Sequence, residues 1–168
     1  IDVHLTTTDR YSELLPAIEN RDFHFAAAGL AMTPERQQQV AFGPAYQQVK
    51  HQLIYRMQNR KPRSIADLQG KKLEIVADSA YAAKLGERRD QFPNLAWSED
   101  PNSKAADLLR AVADKRIDFT IVDSTAFDLH RNYIPGLAVA MDLGSGERLA
   151  WAFNLQGTDQ LRAEAKEY

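Results

Sequence analysis

The chain reads as an α/β protein with mostly parallel sheets, on three observations. Short apolar strands alternate with amphipathic helices along its length. One strand, Ile117 to Val122, is apolar almost throughout, as strands buried on both faces of a parallel sheet are. Gly, Pro and helix-capping residues punctuate the alternation. At 168 residues and 44% hydrophobic composition the chain can bury a real core, as one compact domain or two small interwoven lobes.

The elements follow in order. Ile1 to Leu5 alternates as a strand does, and Asp9 is placed to cap a helix carrying Tyr11, Leu14, Leu15 and Ile18 at helical spacing, with Asn20 as its stop. Phe23 to Ala28 is a short strand ended by Gly29. Thr33-Pro34-Glu35-Arg36 supplies an N-cap, a proline suited to the first helical turn and an acid near the helix start, so a short helix begins at Pro34. Phe42-Gly43-Pro44 is expected to break it, and Val49 to Met57 reads as a strand. Arg60-Lys61-Pro62-Arg63 is a basic connector, the best internal boundary. Beyond it Ser64-Ile65-Ala66-Asp67 opens one capped helical turn closed by Gly70.

Lys72 to Ala77 is then a strand, Ala80 to Asp90 a helix, Leu95 to Trp97 a short strand and Ser103 to Lys115 a helix with Ala105, Leu108, Leu109 and Val112 on one face. Ile117 to Val122 ends at Asp123, ahead of a helix through His130. Leu137 to Met141 and Leu149 to Leu155 are expected as two separate strands, and a helix closes the chain from Gln160. Both ends look cut, as in a fragment of a longer protein.

Composition excludes several functions. The 21 lysines and arginines nearly cancel 23 aspartates and glutamates and are interspersed, leaving no extended basic face for nucleic acid. No run of about 18 apolar residues is present to span a bilayer, and any targeting signal is expected outside this segment. Without cysteine there is no disulfide, thiolate metal site or cysteine nucleophile. His4, His24, His51 and His130 lack metal-ligand spacing, and no phosphate loop or nucleophile-elbow motif occurs, so neither metal, cofactor nor catalytic residue is expected.

In parallel α/β folds, ligands sit beyond the carboxyl ends of strands. Arg36, with the backbone donors around Gly29 to Thr33, suits a carboxylate, or else makes a surface ion pair. Ser79 and the amides that follow suit an anion, or Ser79 is a plain helix cap. Asp123 suits an ammonium, or caps its own helix. Tyr11 covers a ligand, or packs in the core. Position alone leaves these pairs open.

The run from Tyr11 through Leu15-Pro16-Ala17-Ile18, Gly29 and Thr33-Pro34-Glu35-Arg36 to Phe42-Gly43-Pro44-Ala45-Tyr46 resembles the bacterial extracellular solute-binding proteins of family 3, the amino-acid type. Asp67-Leu68-Gln69-Gly70-Lys71 and Ile117 to Asp123 continue the resemblance, which covers essentially the whole chain. It implies a two-lobed, hinged periplasmic-binding-protein-like fold, with lobes at residues 1–55 plus 152–168 and 56–151, closing on a zwitterion. It also implies ligand contacts at Tyr11, Gly29, Leu30, Thr33, Arg36, Ser79, Ala80 and Asp123, with Arg36 on the carboxylate and Asp123 on the amine. Two positions depart from the pattern: Ala31 replaces a hydroxyl residue, and Asp78-Ser79-Ala80 replaces Ser-Gly-Thr.

Within the family, Leu129 to Pro135 and Leu149-Ala150-Trp151-Ala152 look most like sensing modules placed ahead of a lysozyme-like domain that cleaves peptidoglycan. That implies an amino acid or muropeptide-derived peptide as ligand, a catalytic domain downstream in the same chain, and a periplasmic site associated with the outer membrane through the parent protein. This segment itself is not expected to be the enzyme. A receptor for an amino-acid ABC transporter shares these features, and the effector domain of a transcription regulator shares the architecture.

Overall fold

The computed structural model describes residues 4–7, 11–87 and 89–165, with Tyr11 and Ser12 described by backbone only. The first helix, α1 (Tyr11–Glu19), forms where the spacing of Leu14, Leu15 and Ile18 predicts it, and Asn20 leaves it by donating to the Pro16 carbonyl. Ile1 to Val3 and Asp9 lie outside the described residues. His4 and Leu5, expected in a strand, belong to no regular element, and Leu5 is exposed.

The first strand, β1 (Phe25–Ala31), does not stop at Gly29 but runs through it. Gly29 has φ +65°, and the pairing of β1 with the last strand slips between Ala26 and Leu30, so the glycine serves a bulge rather than a terminus. The short helix α2 (Pro34–Gln37) begins as expected, with the Thr33 hydroxyl accepting from the Arg36 N–H at 3.3 Å.

The helix ends at Gln37, short of the Phe42-Gly43-Pro44 triplet expected to end it, and β2 (Val40–Arg56) begins nine residues before the expected Val49 and runs through that triplet. A Cβ at Gly43 would lie 3.1 Å from the Phe153 ring, so the glycine answers a close packing contact. Pro44, which lacks an N–H, lies outside the stretch His51 to Tyr55 that pairs with β5.

Asp67 accepts from the Arg63 and Ser64 amides at 2.7 and 3.1 Å, fixing a single 3-10 turn at Ile65–Leu68. Then come β3 (Leu73–Val76), α3 (Ala80–Glu87), β4 (Trp97–Asp100) and α4 (Ala105–Ala113), followed by β5 (Phe119–Asp123) and α5 (Ser124–His130). β4 starts two residues later than its apolar residues suggested. The two strands expected at Leu137 and Leu149 are one, β6 (Leu137–Asn154), carried across Gly144 and Gly146 at φ +81° and +92°. A Cβ at Gly146 would meet the Val49 carbonyl at 2.9 Å, which glycine alone avoids. The helix α6 (Asp159–Glu164) is last.

The chain divides into two compact units, residues 1–47 with 148–168, and residues 48–147. In the first, β1 pairs antiparallel with the end of β6, matching Phe25 to Phe153. Leu14, Ile18, Ala26, Leu30, Val40 and Ala152 form its core, and Phe25 stacks on Trp151 and Phe153. Asn154 closes α1 by donating to the Ile18 and Glu19 carbonyls at 2.8 and 3.0 Å.

The second unit is built on a parallel trio, β4-β3-β5, with β2 added antiparallel to β5. Its sheet is buried on both faces. Leu53, Tyr55, Ile75, Phe119 and Ile121 meet Ala82 and Leu85 of α3 on one side. On the other, Ile54 and Val122 meet Leu108, Leu109 and Val112 of α4 and Phe127 of α5. Arg56, buried at the end of β2, donates to the Val112 and Ile117 carbonyls at 2.6 Å and pairs with Asp118 at 3.2 Å. Asp118 in turn accepts from the Lys72 amide.

Replacing Arg56 strands two buried carbonyls and a carboxylate at once. Arg56→Ala is expected to lower the urea-unfolding free energy by about 2–4 kcal/mol; a loss under about 1 kcal/mol would show that the guanidinium behaves like an exposed ion pair.

Candidate functional site

In the first unit the residues singled out from the sequence cluster around the end of β1. Arg36 is half-buried, and its Nη1 donates to the Ala31 carbonyl at 3.3 Å, which steers the guanidinium back over the strand end. Two backbone donors expected to face a ligand are already engaged: the Met32 N–H donates to the Arg148 carbonyl at 2.9 Å and the Thr33 N–H to the Ala31 carbonyl at 3.0 Å. The Leu30 side chain is fully buried in the core. Thr33 spends its hydroxyl on the α2 cap. Tyr11 opens α1, and its side chain lies outside the described residues.

In the second unit, Ser79-Ala80 and Asp123 stand at the carboxyl ends of two neighbouring parallel strands, β3 and β5. The Ser79 hydroxyl is committed to the backbone: it donates to the Val76 carbonyl at 2.7 Å and accepts from the Ala82 N–H at 3.3 Å. What remains for an anion is the first turn of α3, where amides at Ala80 and beyond precede the ladder that starts with Ala83 N–H to the Ser79 carbonyl. Asp78 turns the chain into that helix with φ +56°, a conformation short polar residues tolerate.

Asp123 caps α5, its Oδ1 accepting from the Ala126 N–H at 2.7 Å. The cap and an ammonium are compatible, because an ionised carboxylate offers about four acceptor sites. The cap therefore leaves acceptor sites open on Asp123. Ser124 adds a further tie, its hydroxyl accepting from the Lys50 N–H at 3.2 Å.

Three polar residues that sequence reasoning did not place at a site, His51, Lys84 and Glu147, gather beside Asp123. His51 pairs with Asp123 in the β2–β5 register and is buried, its ring edge-on to Tyr81 at 5.1 Å between centroids. Glu147, also buried, is salt-bridged to Lys84 of α3. Burial holds the His51 imidazole below its ordinary range, with Lys84 acting in the same direction and Glu147 and Asp123 opposing. His51 is thus neutral at pH 7. Period-two alternation, which puts His51 on the inward face with Leu53 and Tyr55, was the available signal for it. Nothing local to residue 147 marks it as buried.

Two outcomes check this geometry. Asp123→Asn keeps a good cap and is expected to change stability by under about 0.5 kcal/mol, whereas Asp123→Ala costs about 1 kcal/mol in chemical denaturation. Because the folded state depresses the His51 pKa, its contribution is full above the unfolded value near 6.5 and is lost as pH falls below it. The native protein should therefore lose stability relative to His51→Gln between pH 7 and 5; parallel curves would sink that account.

The chain matches the profile of the bacterial extracellular solute-binding proteins, family 3, over residues 1–136. It is 36% identical over its whole length to the membrane-bound lytic murein transglycosylase F of Saccharophagus degradans, covering 34% of that protein. It is 37% identical over 84% of its length to the protein of the same name from Cellvibrio japonicus, covering 28% of it. The chain thus spans about a third of the length of these curated relatives. Among solved structures, an ancestral arginine-binding protein bound to arginine superposes with a TM-score of 0.82, at 19% identity, over 99% of this chain and 76% of that one. A histidine kinase sensor domain with similarity to periplasmic binding proteins gives 0.77 at 23% identity, over 94% and 67%. The profile match over residues 1–136 and the shared fold give one conclusion: the chain belongs to the bacterial extracellular solute-binding proteins, family 3.

Proposed function

We propose that this chain is the ligand-sensing module of a peptidoglycan lytic transglycosylase, binding a zwitterionic amino acid or a cell-wall peptide. The observation that carries the reading is the kinship, at 36% identity over all 168 residues, to about a third of a lytic murein transglycosylase, a third that has the fold of a solute receptor. The remaining length of such relatives leaves room for a catalytic domain in the same chain. A periplasmic position, associated with the outer membrane through the parent protein, fits both the extracellular family and the membrane-bound relatives.

In this reading Arg36, on the first unit, offers its guanidinium fork to a carboxylate, and Asp123, on the second, offers its open acceptor sites to an ammonium while still capping α5. The amides at Ser79 and Ala80 add positive potential from the start of α3, Gly29 and Leu30 contribute backbone from β1, Thr33 holds the helix turn that carries Arg36, and Tyr11 covers the apolar part of the ligand. Binding acts on the neighbouring catalytic domain through the difference in ligand affinity between two states of the protein.

Calorimetric titration of the chain with single amino acids and muropeptide stem peptides tests the proposal. Saturable binding is expected, weakened by about tenfold or more in Arg36→Ala, the value of a charge-assisted pair. Binding that is indifferent to Arg36, or absent for every probe, would overturn it.

A further inference from the structure

The polar cluster beside Asp123 is not used by carboxylate and ammonium recognition as set out above. His51 shares a sheet face with Leu53 and Tyr55, the face covered by α3, and stands at the end where β3 and β5 deliver Ser79 and Asp123. Only 4% of its surface is exposed, yet neither ring nitrogen has a hydrogen-bond partner among the described residues. Every side-chain nitrogen or oxygen sealed from solvent there does have one, so the His51 nitrogens are among the atoms solvent still reaches. A neutral imidazole holds one donor and one acceptor, and here both are open to a ligand group that takes the place of solvent.

Its neighbours have matching capacity. Glu147 is 92% buried and receives Lys84 on Oε1, while the Lys84 ammonium carries three protons and half-exposed surface. Donors and acceptors stand together, and the one cation and one anion of the pair cancel. A free ammonium or carboxylate would have to compete with that pair; a neutral group that both donates and accepts need not.

We propose that His51, Lys84 and Glu147 form a subsite on the second unit, next to Asp123, for an amide group of the ligand. The amide oxygen accepts from Lys84 or the imidazole N–H, and the amide N–H donates to Glu147 or the bare imidazole nitrogen. The proposal rests on the zwitterion reading of Asp123. The amide belongs either to a side-chain carboxamide or to a peptide bond.

Calorimetry on the full 168-residue chain with two matched pairs, L-glutamine against L-norleucine and L-alanyl-L-alanine against L-alanine, tests it. The amide-bearing member of one pair binds at least about tenfold more tightly, and which pair shows the preference identifies the source of the amide. His51→Leu abolishes the preference without weakening the amide-free partner, and His51→Gln, which restores a donor and an acceptor, recovers most of it. Should His51→Leu fail to fold, the near-isosteric Glu147→Gln reads the same loss. Equal affinities within both pairs, or a preference that survives in these variants, overturn the subsite. Failure of all four probes to bind, or binding that Asp123→Asn leaves intact, instead overturns the zwitterion reading and the subsite with it.

Discussion

The parallel register of β3 against β5 is the constraint from which the chemistry of the second unit descends. With Ile75 opposite Ile121, the two strands end side by side, and each hands the chain directly into a helix. Ser79 and Asp123 are the caps of those helices, so two helix N-termini, one half-buried carboxylate and one buried hydroxyl arrive at a common sheet edge. The apolar burial of Phe119, Thr120, Ile121 and Val122 fixes that register, because a slip of one residue would turn Ile121 from the α3 face to the α4 face.

Buried polarity in this unit is placed where it completes backbone bonding. Thr120, wholly inaccessible, returns its hydroxyl to the Glu74 carbonyl at 2.8 Å and so ties β5 to β3 a second time. Arg56 satisfies the two carbonyls at the turn from α4 into β5 and carries Asp118 as its counter-ion. Together these bonds hold the far end of the sheet, away from Asp123. Glu147 bonds the Lys84 side chain instead, and His51, inward by alternation, has no hydrogen-bond partner among the described residues.

The helices were legible in the sequence because their signals are local. Thr33 with Pro34, Ser64 with Asp67 and Asp123 at a strand end each announce a helix start within four residues, and each start is found there. The strand β2 was read as starting only at Val49, and β6 as two strands, because Gly43, Pro44, Gly144 and Gly146 are local breakers whose meaning here is set by distant neighbours. Gly43 answers to Phe153 and Gly146 to Val49, each about a hundred residues away in sequence. The same distance hid Lys84 and Glu147, which are 63 residues apart. Arg36 and Asp123 could be named from motif alone, while the spent amides of Met32 and Thr33 could be seen only in the folded chain.

The cap that Asp123 makes and the amine contact proposed for it can be lost separately. A lineage that drifted from Asp to Ser or Asn at this position would keep α5 properly begun and the sheet intact, while surrendering the only formal charge that cap contributes. On the proposed reading, such a descendant would fold as its parent does and lose only the amine contact. Silent receptors of this kind are therefore an easy evolutionary destination for the fold, one substitution away and without a folding defect to betray them.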